Sequence, residues 1–285
     1  MGRIRVGVLG FGALGRHLVR TLKEPEVAER FDLAFVWNRS VEAVRGQVPE
    51  DKILAHVAEF RSFEPDLVCE VSHQSVTRRF APSILEYCDF FAGSSTALAD
   101  PDTEQAVREA VARPGGHGLY IPRGALPGLE DILRMGRAGK VDSASVTMEK
   151  HPKSLHFVGP LGADALPVME SMEGRAVLYD GPLRPLCDMA PSNVNTMAVL
   201  AMASGLGFDQ TRATLVADSS LQHHIVNVQV NGFPQDVAGQ PLRFSLDITR
   251  SSPAGAGDVT STATFTAFVN AMLESHGRGS GMHFV

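Results

Sequence analysis

The chain opens on an apolar run, Ile4-Arg5-Val6-Gly7-Val8-Leu9, that leads without a spacer into Gly10-Phe11-Gly12-Ala13-Leu14-Gly15. No other feature restricts the fold as strongly. A G-x-G-x-x-G behind a strand calls for strand, tight turn and helix in that order. Gly10 makes the turn, Gly12 lets backbone approach a pyrophosphate, and Gly15 lets the helix lie close to the strand. The N–H groups of this turn, including those of Ala13 and Leu14, then sit at the positive end of a helix. Phosphate is stabilised there without a basic side chain. The helical run Arg16–Leu22 and a second apolar strand, Phe31–Trp37, complete a β-α-β unit. This is the signature of a dinucleotide-binding Rossmann-like domain.

The end of the second strand speaks to the choice of dinucleotide. NAD sites place an Asp or Glu there for the ribose 2′-hydroxyl, whereas this chain has Asn38-Arg39-Ser40. A guanidinium pairs with a 2′-phosphate that a carboxylate would repel. The expected cofactor is NADP or NAD, with NADP preferred and Asn38 and Arg39 reading the phosphate. A solvated Arg39 is the alternative.

Length and charge narrow the rest. The 285 residues suffice for two domains. The net charge of −6 and the lack of a long basic run argue against nucleic acid or an anionic membrane as partner. Cys69, Cys88 and Cys187 show no paired spacing, so no disulfide framework and no metal site is expected. No apolar stretch reads as a signal region or a bilayer span, which makes a cytoplasmic location the expectation.

Beyond the first unit the pattern predicts a short exposed helix near Val41–Arg45, a parallel strand over Asp66–Val71 and a helix from about Ser75 to Tyr87. A strand at Asp89–Gly93, a helix over Asp102–Ala112 and a strand at Gly118–Pro122 follow. Ser72 and His73 end a parallel strand and belong near the cofactor. From Ser143 the chain alternates polar and apolar residues, as in Ser143–Met148, Ile225–Val230 and Leu242–Ile248, which predicts half-buried antiparallel strands. Helices are expected after Gly124, over Val194–Ser204 and over Thr260–Glu274, and the glycine-rich ending is expected to be frayed. The fold class is α/β: a Rossmann-like doubly wound parallel sheet, with a second α+β domain on a mostly antiparallel sheet. Residues 1–122, joined by the C-terminal helix 259–285, form the dinucleotide domain; residues 123–258 form the substrate, catalytic and dimerisation domain.

Three further segments carry a resemblance. Ile121-Pro122-Arg123-Gly124-Ala125-Leu126-Pro127-Gly128-Leu129-Glu130 resembles an S-G-A-[IL]-x-G-L-D element. Ala190-Pro191-Ser192-Asn193-Val194-Asn195 resembles F-P-x-N-x-N, and Leu221-Gln222-His223-His224-Ile225 resembles N-x-H-E-I. These are elements of the L-aspartate dehydrogenase family. Ala97–Asp100 and Leu206–Asp209 extend the match over nearly the whole chain. The resemblance implies reversible oxidative deamination of L-aspartate to iminoaspartate, which hydrolyses to oxaloacetate and ammonia. It implies His223 as the catalytic acid-base group, Ala125 and Asn193 as cofactor contacts, and a homodimer.

The chain departs from the family in three places. His224 stands where the family has Glu, and the late N-P-[KR]-T-S element survives only as Asp258-Val259-Thr260-Ser261. Asn38-Arg39 replaces an acidic residue. Without the family, His223-His224 would read as structural or exposed, and Asn193 as a helix cap. His73 is the second acid-base candidate; Glu149 and Asp164 are further acids. Lys150-His151-Pro152-Lys153 is either an attractor of dicarboxylates or a solvated loop. The rival functions are a related reductase on another dicarboxylate and a non-catalytic NADP-binding sensor.

Overall fold

The computed structural model describes residues 2–159, 169, 171–259 and 262–285. The chain divides into two compact units, one of Met1–Pro122 with Phe265–Val285 and one of Arg123–Thr264.

The first unit is built on a seven-stranded parallel sheet. Its strands are β1 (Ile4–Leu9), β2 (Phe31–Trp37), β3 (Ile53–Leu54), β4 (Leu67–Glu70), β5 (Asp89–Ala92), β6 (Gly118–Ile121) and, from the end of the chain, β14 (Gly281–Phe284). Their order is β14-β6-β5-β4-β1-β2-β3. The order reverses at β1, whose neighbours are β2 and β4, and the crevice outside the carboxyl ends of those strands is where such sheets take ligands. The strands are mostly apolar because both faces are covered. Helices α1 (Ala13–Thr21), α2 (Pro25–Ala28), α3 (Gln74–Leu85) and α4 (Pro101–Val111) connect them. Asp100 caps α4 by accepting from the Thr103 N–H at 3.0 Å. The expected helix near Val41 is only a 3₁₀ turn over Val41–Ala43, which Gly46 in the left-handed region follows.

The glycine-rich ending is ordered, contrary to the frayed tail expected from composition. β14 pairs parallel with β6 from Gly281 opposite Gly118 to Phe284 opposite Ile121. Glycine serves close approach here: a Cβ on Gly118 would come within 2.8 Å of the Gly279 carbonyl oxygen. The His283 ring lies 5.1 Å from that of Tyr120. The helix spanning Thr262–Leu273 joins the same core through Phe268, Val269 and Met272, and Phe268 meets Phe91 edge-on at 4.8 Å. Of the sequence readings, Asp164, Thr260 and Ser261 lie outside the described residues.

The second unit carries a five-stranded mixed sheet of β7 (Val141–Lys150), β8 (Arg175–Pro182), β9 (Arg212–Asp218), β10 (His223–Gly232) and β13 (Ser245–Pro253). The order is β13-β10-β7-β9-β8, and only the β7–β9 pair is parallel. A small hairpin, β11 (Gln235–Val237) with β12 (Gln240–Leu242), stands apart. Period-2 alternation sends Ala144, Val146, Met148 and Lys150 of β7, and His224, Val226, Val228 and Val230 of β10, to the buried face. The opposite face is polar: Asn227 and Gln229 donate to Asp247 at 2.7 and 3.0 Å. Helices α5 (Leu129–Arg137), α6 (Leu183–Met189), α7 (Asn195–Ala203) and α8 (Gly207–Gln210) complete the unit, whose core includes all of α7 except Asn195 and Met202. The helix over Thr262–Leu273 is α9.

Candidate functional site

The nucleotide loop shows why each glycine is there. Gly10 adopts φ +118°, and a Cβ on it would lie 2.8 Å from the Val71 carbonyl group. A Cβ on Gly15 would be 2.1 Å from the Gly10 carbonyl oxygen, so the first turn of α1 lies against the glycine turn with no room for a side chain. Around Gly12, by contrast, a Cβ would meet nothing within 4 Å. That open cradle, at the N-terminus of a nine-residue helix with no side-chain cap, fits a pyrophosphate.

Asn38 is committed to holding this loop. Its Oδ1 accepts the Phe11 N–H at 3.2 Å and its Nδ2 donates to the Ser40 carbonyl at 3.0 Å. Both ends of the amide thus make a bond inside the protein, and the neighbouring Arg39 is exposed.

Across the crevice, sequence reasoning missed the organising residue. Glu70 ends β4 and is fully buried. Its Oε1 accepts from the Ser72 N–H at 2.7 Å, the Ser72 hydroxyl at 2.9 Å, the His73 N–H at 2.8 Å and the Ser94 hydroxyl at 3.1 Å. Its Oε2 accepts from the Thr77 hydroxyl and the Ser94 N–H, both at 2.9 Å. One carboxylate therefore ties the loop after β4 to the loop after β5. The signal was an acid inside an apolar strand, where an uncompensated charge would not be tolerated. Ser72 is exposed but anchored to this carboxylate. His73 is exposed and caps α3, its Nδ1 accepting from the Ser75 N–H at 3.2 Å.

The second unit places the remaining candidates. Gly124 has φ +58°, and the Ala125 N–H donates to the Thr196 hydroxyl at 3.2 Å, which fixes that turn. Asn193 is buried and its amide is engaged at both ends: Oδ1 accepts the His156 N–H at 2.7 Å and Nδ2 donates to the Ser154 carbonyl at 2.9 Å. It braces the 154–156 loop, while Val194 occupies the N-cap position of α7. Glu149 pairs with Arg175 at 3.1 Å.

The histidine pair divides sharply. His223 begins β10 on the exposed face, while His224 is 8% exposed on the buried face. His224 bonds to the backbone of Asp258, yet its Nε2 is buried and has no partner. Burial, and then the Lys150 ammonium, push the imidazole down to about 4, so it is neutral at pH 7. Lys150 is itself buried, not in a solvated loop, and its Nζ donates to the Val259 carbonyl at 3.2 Å. Nearby a pocket of about 590 Å³ is walled by the turn before β10 and the turn after β13, with His151, Ser220, Gln222, Gly255 and Asp258 in its lining.

Comparison with known proteins matches both units. A family model described as "Aspartate dehydrogenase, C-terminal" covers residues 131–271, and one described as "Homoserine dehydrogenase, NAD binding domain" covers residues 10–122. The aspartate dehydrogenase domain-containing protein of Xenopus tropicalis is 40% identical over 283 residues, spanning 99% of this chain and 98% of that one. This chain belongs to the aspartate dehydrogenase family. A more distant member, the L-aspartate dehydrogenase of Methanococcoides burtonii, is 28% identical over 80% of this chain and 84% of its own. The aspartate dehydrogenase structure from Thermotoga maritima shares the fold, with TM-score 0.65 and 18% identity over 95% of this chain and 94% of that one. Family membership makes the first unit an NAD-binding domain of dehydrogenase type. Among the described residues no helix is long and apolar enough to cross a membrane.

Proposed function

We propose that the chain is an NAD(P)-dependent L-aspartate dehydrogenase that interconverts L-aspartate and iminoaspartate, the latter hydrolysing to oxaloacetate and ammonia. The observation that carries the reading is the His224 imidazole, a neutral ring with one buried nitrogen lacking a partner, in a family whose other unit holds the glycine cradle.

Gly10, Gly12, Ala13, Leu14 and Gly15 would hold the coenzyme phosphates, with the Ser72 loop at the same crevice; Ala125 is a cofactor contact on the resemblance alone. Asn193 would act by bracing the neighbouring loop. When bound, the nicotinamide supplies the two-electron acceptor for the hydrogen on Cα. The chain's own task is the proton: the substrate amine must be neutral when that hydrogen leaves, so a base must first take a proton from the ammonium. The resemblance pointed to His223. The geometry favours its neighbour, because the bond to Asp258 fixes the His224 ring and leaves Nε2 free to accept.

Preference for NADP rests on Arg39 alone, since Asn38 is engaged elsewhere. A cytoplasmic homodimer belongs to the same proposal. The test is reductive amination of oxaloacetate with ammonia, followed in parallel with NADPH and NADH. Turnover with His224→Ala lowered roughly 10²- to 10⁴-fold and His223→Ala near wild type is expected; the reverse order would assign the proton to His223. Arg39→Ala should weaken NADPH more than NADH. Tight NADPH binding without turnover on any dicarboxylate would replace the enzyme by a sensor.

A further inference from the structure

Among the described residues one buried ammonium has no anion paired with it. Lys150 is 4% exposed, and a single carbonyl, that of Val259, accepts from its ammonium. Buried ammonium groups are normally paired, because removing the charge from water costs several kcal/mol in real proteins. Burial pushes Lys150 down to about 8, yet at pH 7 it is still mostly charged. Asp258, the carboxylate nearest in sequence to the accepting carbonyl, is exposed and turned to its own loop, where its Oδ2 accepts the Gly255 N–H at 2.8 Å.

The neighbour of Lys150 is equally incomplete. β7 and β10 pair up to Glu149 opposite Ile225. One step further, Lys150 and His224 follow on the same buried face, and His224 Nε2 lacks a donor or acceptor. A cation without an anion beside an acceptor without a proton is what an α-amino acid completes, its carboxylate meeting the ammonium and its own ammonium meeting the imidazole.

We propose that Lys150 binds a carboxylate of a C4 dicarboxylate substrate and thereby sets the substrate class of the site. The proposal rests on the dehydrogenase reading for the identity of the substrate, though not for the existence of the anion site. It assigns a cation to a chain in which Val259 stands in the segment where the family element has Lys or Arg: the charge arrives from the end of β7, with its ammonium on the Val259 carbonyl. A bound carboxylate would also neutralise the field that helps hold His224 unprotonated, so filling the site makes the imidazole a better base.

The experiment compares wild type, Lys150→Met and Lys150→Arg by calorimetric titration with succinate in the presence and absence of NADP, and by KM for oxaloacetate in reductive amination. Losing one charge-assisted contact should raise the succinate Kd and the oxaloacetate KM roughly 10- to 100-fold in Lys150→Met, with most of the affinity kept in Lys150→Arg. Thermal unfolding of Lys150→Met should come no earlier than that of wild type, since an apolar isostere removes an unpaired buried charge. Unchanged Kd and KM in Lys150→Met overturn the proposal and leave the dehydrogenase reading intact. Succinate binding that depends on Lys150 without turnover of oxaloacetate keeps the anion site and overturns that reading. Earlier unfolding of both variants would make Lys150 a brace for Val259 and overturn the proposal.

Discussion

Replacing Glu70 with Gln changes one oxygen to an amide nitrogen and leaves the side-chain volume nearly constant. With the amide oxygen at the Oε1 position, the four donors there keep an acceptor, though a neutral one. The amide nitrogen then faces the Ser94 N–H, donor against donor, while the Thr77 hydroxyl can turn to accept. The change strands the Ser94 N–H and takes the charge out of the other contacts, which together cost at least about 2–3 kcal/mol. For a unit of this size that corresponds to a Tm lower by roughly 4–12 °C. The loops after β4 and β5 line the ligand crevice, so NADPH affinity should fall with stability. Thermal unfolding by near-ultraviolet circular dichroism and NADPH fluorescence titration measure the two effects. A Tm within about 1 °C of wild type, together with unchanged NADPH affinity, would refute the argument that this carboxylate holds the two loops.

Three other outcomes are expected. Gly15→Ala puts a Cβ 2.1 Å from the Gly10 carbonyl oxygen, so α1 must move; stability should drop by about 1–3 kcal/mol and NADPH binding should be largely lost in a fluorescence titration. The folded pKa of His224, about 4, lies below its unfolded value near 6.5. Above pH 6.5 both states are neutral. Below it the unfolded chain takes the proton first, so stability falls from pH 6.5 and the loss is complete near pH 4. Urea midpoints across that window should show this slope, and His224→Phe should remove its share. Deleting residues 279–285 removes β14 and exposes the edge of β6; the truncated protein should unfold at lower temperature and associate in light scattering.

Much of the first unit was legible because parallel strands buried on both faces write themselves as apolar runs, such as Phe31–Trp37 and Leu67–Glu70, and glycine punctuates the turns. β14 was not, because an edge strand that pairs mainly through backbone and packs glycine against glycine has the composition of a loose tail. β8 was missed for a related reason: Arg175–Pro182 shows one buried residue, Gly181, and so carries little alternation. In the site, the glycine positions could be read from steric need alone. That His224 and not His223 is the buried member of the pair could have been read from period 2, since His224 continues the face of Val226, Val228 and Val230. Lys150 likewise extends Ala144, Val146 and Met148, a pattern the adjoining His-Pro-Lys disguised as a basic loop. Glu70 and the internal engagement of Asn38 and Asn193 depend on partners up to 39 residues away, which no local pattern reveals.

The end of the chain also sets an order of events in synthesis. Residues 1–122 leave the ribosome first, yet β14 and the Phe268–Met272 layer that complete their sheet and core come after all of residues 123–264. Until then the nascent nucleotide-binding unit presents an unpaired β6 edge and an uncovered Phe91, the surfaces that chaperones recognise and that aggregate when left alone. Slow translation of the second unit therefore lengthens the exposure of the first, and a fusion at the carboxyl terminus is attached to the strand that closes the sheet.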